Sequence, residues 1–179
     1  MRRKFINHKS EIRNQKNMRG LRNNNPLNIR HSVDRWQGAR AEQTDKAFVQ
    51  FESMAYGYRA AWKTLQSYYN RFRAQGKEFT VRNIIRRWAP PNENHTDAYI
   101  SNVSELSGIG GDETLLPPEN VDGYVKLNKL MAAMTCIECG IRMKQVDTGA
   151  ICQGYRFAFP ENSEILDEWL LEEDEYGGW

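Results

Sequence analysis

Large apolar side chains recur through the middle of the chain at the spacing of one helix face. Tyr58, Trp62, Leu65, Tyr69 and Phe72 fall at i, i+4, i+7, i+11 and i+14. That stripe predicts a long helix that begins after Ser53 and stops at Gly76. Val81, Ile84, Ile85 and Trp88 repeat the pattern behind Thr80, whose hydroxyl suits a helix cap, and Pro90-Pro91 ends the run. Tyr99, Val103 and Leu106 predict a third helix with Thr96 as cap and Gly108 as stop. After a loop from Gly110 to Pro118, Tyr124, Leu127, Met131 and Met134 predict a fourth helix from about Glu119 to Cys139, closed by Gly140. A short helix is expected over Thr148 to Phe159.

The pattern changes in residues 19–52. Asn28-Ile29-Arg30 and Phe48-Val49-Gln50-Phe51 alternate as strands do. Asn23-Asn24-Asn25-Pro26 belongs in a turn, because Asn side chains mimic backbone hydrogen bonds and Pro restricts the residue before it. A small β-hairpin lobe near the N-terminus is therefore predicted, followed by a helical bundle. The fold class is α+β, mainly α. The expected organisation is a basic arm over 1–18, a single globular domain over 19–159 and an acidic tail over 160–179. No internal repeat is visible.

Charge adds a polarity that the net value of +2 conceals. Residues 1–30 hold nine Lys or Arg and one acid, Glu11, whereas residues 161–179 hold eight Asp or Glu and no Lys or Arg. The two ends suit each other or separate partners, or they are simply solvated. Apolar residues at 40% and charged residues at 27% are ordinary for a globular chain and argue against wholesale disorder. Met1-Arg2-Arg3-Lys4 is basic, but no apolar stretch of a secretion signal follows, and no run approaches a membrane span. Synthesis in the cytoplasm is the expectation.

Cys136, Cys139 and Cys152 read as free, partly buried thiols. The Cys136-x-x-Cys139 pair invites a zinc reading, but a structural site needs four ligands and only Cys152 and three distant His remain, so neither a metal nor a cofactor is expected. Gly108-Ile109-Gly110-Gly111 does not follow a strand and open a helix, which argues against a nucleotide loop. The basic arm lacks the interleaved aromatics of a single-strand binder, and Arg86-Arg87 adds only a small basic pair, so nucleic acid is not the expected partner.

Several blocks resemble a known family. Arg19-Gly20-Leu21-Arg22-Asn23-Asn24-Asn25-Pro26-Leu27-Asn28-Ile29-Arg30 is similar to the opening motif of phage and prophage virion-associated proteins linked to bacterial cell-wall breakdown. Trp36-Gln37-Gly38, Asp45, Phe48-Val49-Gln50-Phe51, Tyr56-Gly57-Tyr58-Arg59-Ala60 and Ile85-Arg86-Arg87-Trp88-Ala89-Pro90-Pro91 follow in order. Glu93-Asn94-His95-Thr96 and Tyr99-Ile100 complete a resemblance over residues 19–108, with 109–159 as a helical extension. Leu27 replaces a frequent Gly of the family, and His95 replaces its usual Asp.

That resemblance implies a phage, prophage or mobile-element setting, a lysozyme-like helical bundle and association with virion proteins. It also implies peptidoglycan glycan strands as substrate, cut by a hydrolase or lytic transglycosylase. The alternative is a non-catalytic virion structural or assembly protein that binds the wall. Glycan cleavage needs a carboxylic acid near the leaving oxygen and a second carboxylate or a positioned water. Glu93, between two prolines and a helix start, is the candidate acid, with Asp45 or Glu42 across the cleft. Trp36 and Trp88 suit sugar stacking, and Asn23, Asn24, Asn25, Asn92 and Asn94 suit hydroxyl and acetamido groups. The competing expectation is structural. Asp45 and Glu93 would then bind backbone N–H groups or pair with Arg22, Arg30 or Arg59, the Asn run would build a turn, and Trp88 would pack in the core. Glu11 precedes the lobe as catalytic acids of helical muramidases do, but it lies outside the resemblance.

Overall fold

The structure, a computed structural model, describes residues 18–92 and 95–167. Glu11, Glu93 and Asn94 fall outside the described residues, as do the basic arm up to residue 17 and the acidic tail from residue 168. Among the described residues the α-helices with full bounds are, in chain order, α1 (Arg19–Arg22), α2 (Met54–Ala74), α3 (Val81–Trp88), α4 (Thr96–Ser107), α5 (Val121–Cys139) and α6 (Thr148–Ala158).

The long apolar stripes form one core. Tyr58, Trp62, Leu65 and Phe72 of α2 are buried, as are Val81, Ile84 and Ile85 of α3 and Tyr124, Leu127, Met131 and Met134 of α5. Trp62 sits at its centre. Its ring lies 5.0 Å from Tyr155 and 5.8 Å from Tyr124, and its indole N–H donates to the Ile151 carbonyl at 3.1 Å. Helices α2 and α6 pack closely because Gly154 has no side chain; a Cβ there would lie 2.7 Å from the Tyr58 Cβ. The core continues past Phe159, since Leu166 is fully buried in it.

Helix ends follow the local chemistry. Thr80 caps α3 by accepting from Asn83 N–H at 3.2 Å. Gly108 and Gly140 take left-handed backbone at φ 71° and 63°, the conformation that ends α4 and α5. Two expectations at α4 are corrected. Thr96 is its first helical residue, not its cap, and donates its hydroxyl proton to the Ala89 carbonyl at 2.5 Å. Leu106 is exposed at the end of the stripe. Ser53 stands at the cap position of α2 without a side-chain cap bond.

The β-hairpin lobe is also corrected. Among the described residues its segments meet only as isolated antiparallel bridges, Arg30 with Phe48 and Ala39 with Phe51. A few backbone bonds cross between the segments, Val49 N–H to the Ile29 carbonyl at 3.0 Å and Arg40 N–H to the Gln50 carbonyl at 2.9 Å among them, and side-chain amides bond other backbone groups there. Asn25 donates to the Ile29 and Val49 carbonyls at 2.9 and 2.8 Å and accepts from Ile29 N–H at 2.8 Å. Gln43 donates to the Arg40 and Gln50 carbonyls, both at 2.8 Å, and accepts from Gln50 N–H at 2.7 Å. The lobe is a looped segment folded over a small apolar cluster of Ile29, Val49, Phe51 and Ala60.

Candidate functional site

The Asn run and the loop to Phe51 meet around one carboxylate. Asp45 is nearly enclosed, its side chain 6% exposed. Arg19, projecting from α1, grips it at two points: Nε to Oδ2 at 2.6 Å and a terminal nitrogen to Oδ1 at 2.5 Å. Asn23 donates to Oδ2 at 2.7 Å, and the backbone N–H groups of Ala47 and Phe48 donate to Oδ1 at 3.0 and 3.1 Å. The Arg19 hydrogen bonds hold this carboxyl well below the usual carboxylate range, against the opposing effect of burial; the Asn23 and backbone donors add to it. Arg19 is correspondingly raised by the same hydrogen bond. Both partners point to a fixed ion pair, so Asp45 has neither a proton to give nor a lone pair aimed at open space.

The asparagines build the turn from inside. Asn23 and Asn25 are buried, at 1% and 0% exposure. Asn24 and Asn28 adopt left-handed backbone at φ 51° and 53°. Asn is one of the few residues that tolerates this conformation. Asn24 donates to the Phe51 and Glu52 carbonyls, each at 3.1 Å. Its own carbonyl lies where a Cβ on Gly57 would be, 2.1 Å away, so α2 can start against the turn only because residue 57 is Gly. The hydrogen-bonding groups of Asn23 and Asn25 are thus spent within the fold.

The other sequence-predicted residues are dispersed. Glu42 is exposed on the loop that precedes Asp45. Trp36 is half-buried against the small apolar cluster, with its indole nitrogen buried and unpartnered among the described residues. Trp88 is half-buried between both clusters, its ring 6.1 Å from that of Tyr68. Asn92 is exposed at the turn after Pro91. Among the described residues the structure brings Asn23 to Asp45 and brings no second carboxylate to it.

One carboxylate escaped sequence reasoning. Glu138, near the end of α5, accepts from Asn28 Nδ2 and from the Tyr99 hydroxyl, both at 2.8 Å. It joins the lobe, α4 and α5. Burial raises the Tyr99 hydroxyl well above its ordinary pKa, and the neighbouring Glu138 charge adds to the effect. The available signal was its setting: Glu138 is the one charged residue between Lys129 and Gly140. Beside it, the Cys139 thiol donates to the Pro26 carbonyl at 3.3 Å, and burial pushes it up to about 12. Among the described residues no group of His, Cys, Asp or Glu could hold a metal ion, and no helix is long and apolar enough to cross a membrane.

A groove of about 450 Å³ runs between α4 and α5, lined by Glu105, Leu106, Cys136, Ile137, Ile141 and Met143 among others. None of the sequence-predicted site residues lines it.

A mainly helical chain whose lobe closes over a half-buried ion pair is thus the context for its relative, a bacteriophage protein. Over 100 residues it is 39% identical to Protein P5 of Pseudoalteromonas phage PM2. The matched region is 54% of this chain and 60% of the relative, so less than two thirds of that protein is represented. No family model matches the chain.

Proposed function

We propose that this chain is a virion structural or assembly protein of phage or mobile-element origin, with the motif lobe as a folding scaffold. The phage relative supports the setting. The observation that carries the non-catalytic reading is the state of Asp45: its carboxylate is enclosed and engaged by Arg19, Asn23 and two backbone donors. A general acid needs a proton near neutral pH, and a base or nucleophile needs a free oxygen; Asp45 offers neither. The test is incubation of the purified chain with purified peptidoglycan across pH and salt, followed by soluble muropeptides and turbidity. No release above a blank is expected. Reproducible release of glycan fragments would overturn the reading.

Cleavage of glycan strands as a hydrolase or lytic transglycosylase is the second reading. It draws on Glu42 being exposed on the lobe and on Glu138, a half-buried carboxylate on hydroxyl and amide donors. Here Glu93 is the acid, Glu42 the opposing carboxylate, and Trp36, Trp88 and Asn94 contact sugar. Glu93→Gln removes the proton and preserves the shape. On this reading any release activity falls by about 100-fold or more, with the thermal midpoint unchanged.

A further inference from the structure

The second half of α2 and the whole of α3 are basic in a way that the sequence spreads out and the fold gathers. Residues 53–92 carry eight Lys or Arg and one carboxylate, Glu78. Three of the cations are used internally: Arg59 donates to the Phe157 carbonyl at 3.1 Å, Lys63 stands 4.5 Å above the Phe159 ring, and Arg82 pairs with Asp112 at 2.6 Å. The other five, Arg71, Arg73, Lys77, Arg86 and Arg87, are exposed, and no carboxylate pairs with them among the described residues.

Aromatic rings lie among these charges. The Arg87 guanidinium sits 4.8 Å from the centroid of the Tyr68 ring, which meets Trp88 edge-on at 6.1 Å. Burial raises the Tyr68 hydroxyl, while the positive charges of Arg87 and Arg71 pull it down. Tyr68 and Trp88 are each half-buried, so their rings are braced by the core at one side.

We propose that this face, with Tyr68 and Trp88 among Arg71, Arg86 and Arg87, binds single-stranded nucleic acid. Guanidiniums beside core-braced rings supply the two contacts that a single strand needs, cations for its phosphates and aromatic surface for its unpaired bases. A lipid surface fits less well, because none of the large exposed apolar residues, such as Val33 or Ile165, lies on α2 or α3 to enter a bilayer. The inference does not depend on whether the chain cleaves peptidoglycan.

The test is fluorescence anisotropy of the full chain with labelled oligo-dT over a salt series. Each lost phosphate contact flattens the slope of log affinity against log salt by about 0.7. The double variant Arg71→Gln/Arg87→Gln is expected to weaken binding by about tenfold or more and flatten the slope by about 1.4. Tyr68→Leu is expected to weaken binding by about tenfold with the slope unchanged. Arg86→Gln serves as a second charge variant if the first melts early, with a flattening of about 0.7. The proposal is overturned if oligo-dT does not bind, or if binding survives both charge variants and disappears only when residues 1–17 are removed. It is equally overturned if phosphatidylglycerol vesicles are captured and oligo-dT is not.

Discussion

Arg19 and Asp45 stand 26 residues apart in sequence and form a two-point contact that closes the lobe. Pairing was among the expectations for Asp45, but with Arg22, Arg30 or Arg59. No periodic pattern distinguishes one arginine from another in a loop, so this part of the site was not legible. Removing one member of an enclosed pair leaves the other's bonding groups unsatisfied. Asp45→Asn is therefore expected to cost about 2–3 kcal/mol in urea denaturation; a catalytic Asp45 would instead leave stability intact. The pH dependence follows from the depressed folded-state value. The unfolded carboxyl titrates at about 3.9, so the stabilisation is complete above about pH 5 and is lost as pH falls from about 4 toward the lower folded value. Asp45→Asn should be matched by wild type at low pH and fall below it at neutral pH. A constant difference across pH would show that the ion pair is not the cause.

At the scale of elements, sequence periodicity performed well where burial alone sets the structure. The stripes of α2, α3 and α5 became core because a 3.6-residue repeat has one inward face. The α4 stripe failed at Leu106, where the helix ends beside the open groove. The lobe failed for a different reason. Alternation in Phe48-Val49-Gln50-Phe51 was read correctly for Val49 and Phe51, both buried, but the backbone bonds to neighbouring segments, such as Val49 N–H to the Ile29 carbonyl and Arg40 N–H to the Gln50 carbonyl, stay isolated, and the Asn25 and Gln43 side chains take other backbone groups. Two substitutions probe these element joints. Thr80→Ala should cost about 1 kcal/mol through loss of the α3 cap, read from the thermal midpoint. Gly57→Ala should be much worse, because the new Cβ meets the Asn24 carbonyl at 2.1 Å and neither backbone segment can give way. An unchanged melting curve for Gly57→Ala would contradict the close start of α2 against the Asn turn.

Across the whole molecule, α2 is the hub: it packs on α6, meets the Asn turn at its start, and shares an aromatic cluster with α3 at its end. The order of helices was legible, and the assembly of the candidate site was not, because Arg19 and Asn23 reach Asp45, and Asn28 and Tyr99 reach Glu138, only through tertiary folding. The basic face of α2 and α3 shows the same limit. Arg86-Arg87 looked like a minor pair in sequence because Arg71 lies in another helix.

The tie between lobe and bundle sets an order of events during synthesis. Asn28 and Pro26 precede their partners on α5, Glu138 and Cys139, by 110 and 113 residues. At about 5–20 residues per second, the turn emerges from the ribosome several seconds or more before the helix that holds it. Chains stalled ahead of Glu138 should be cut readily by protease within residues 19–52, and chains released after α6 should resist. The oldest part of the nascent protein is thus among the last to become native.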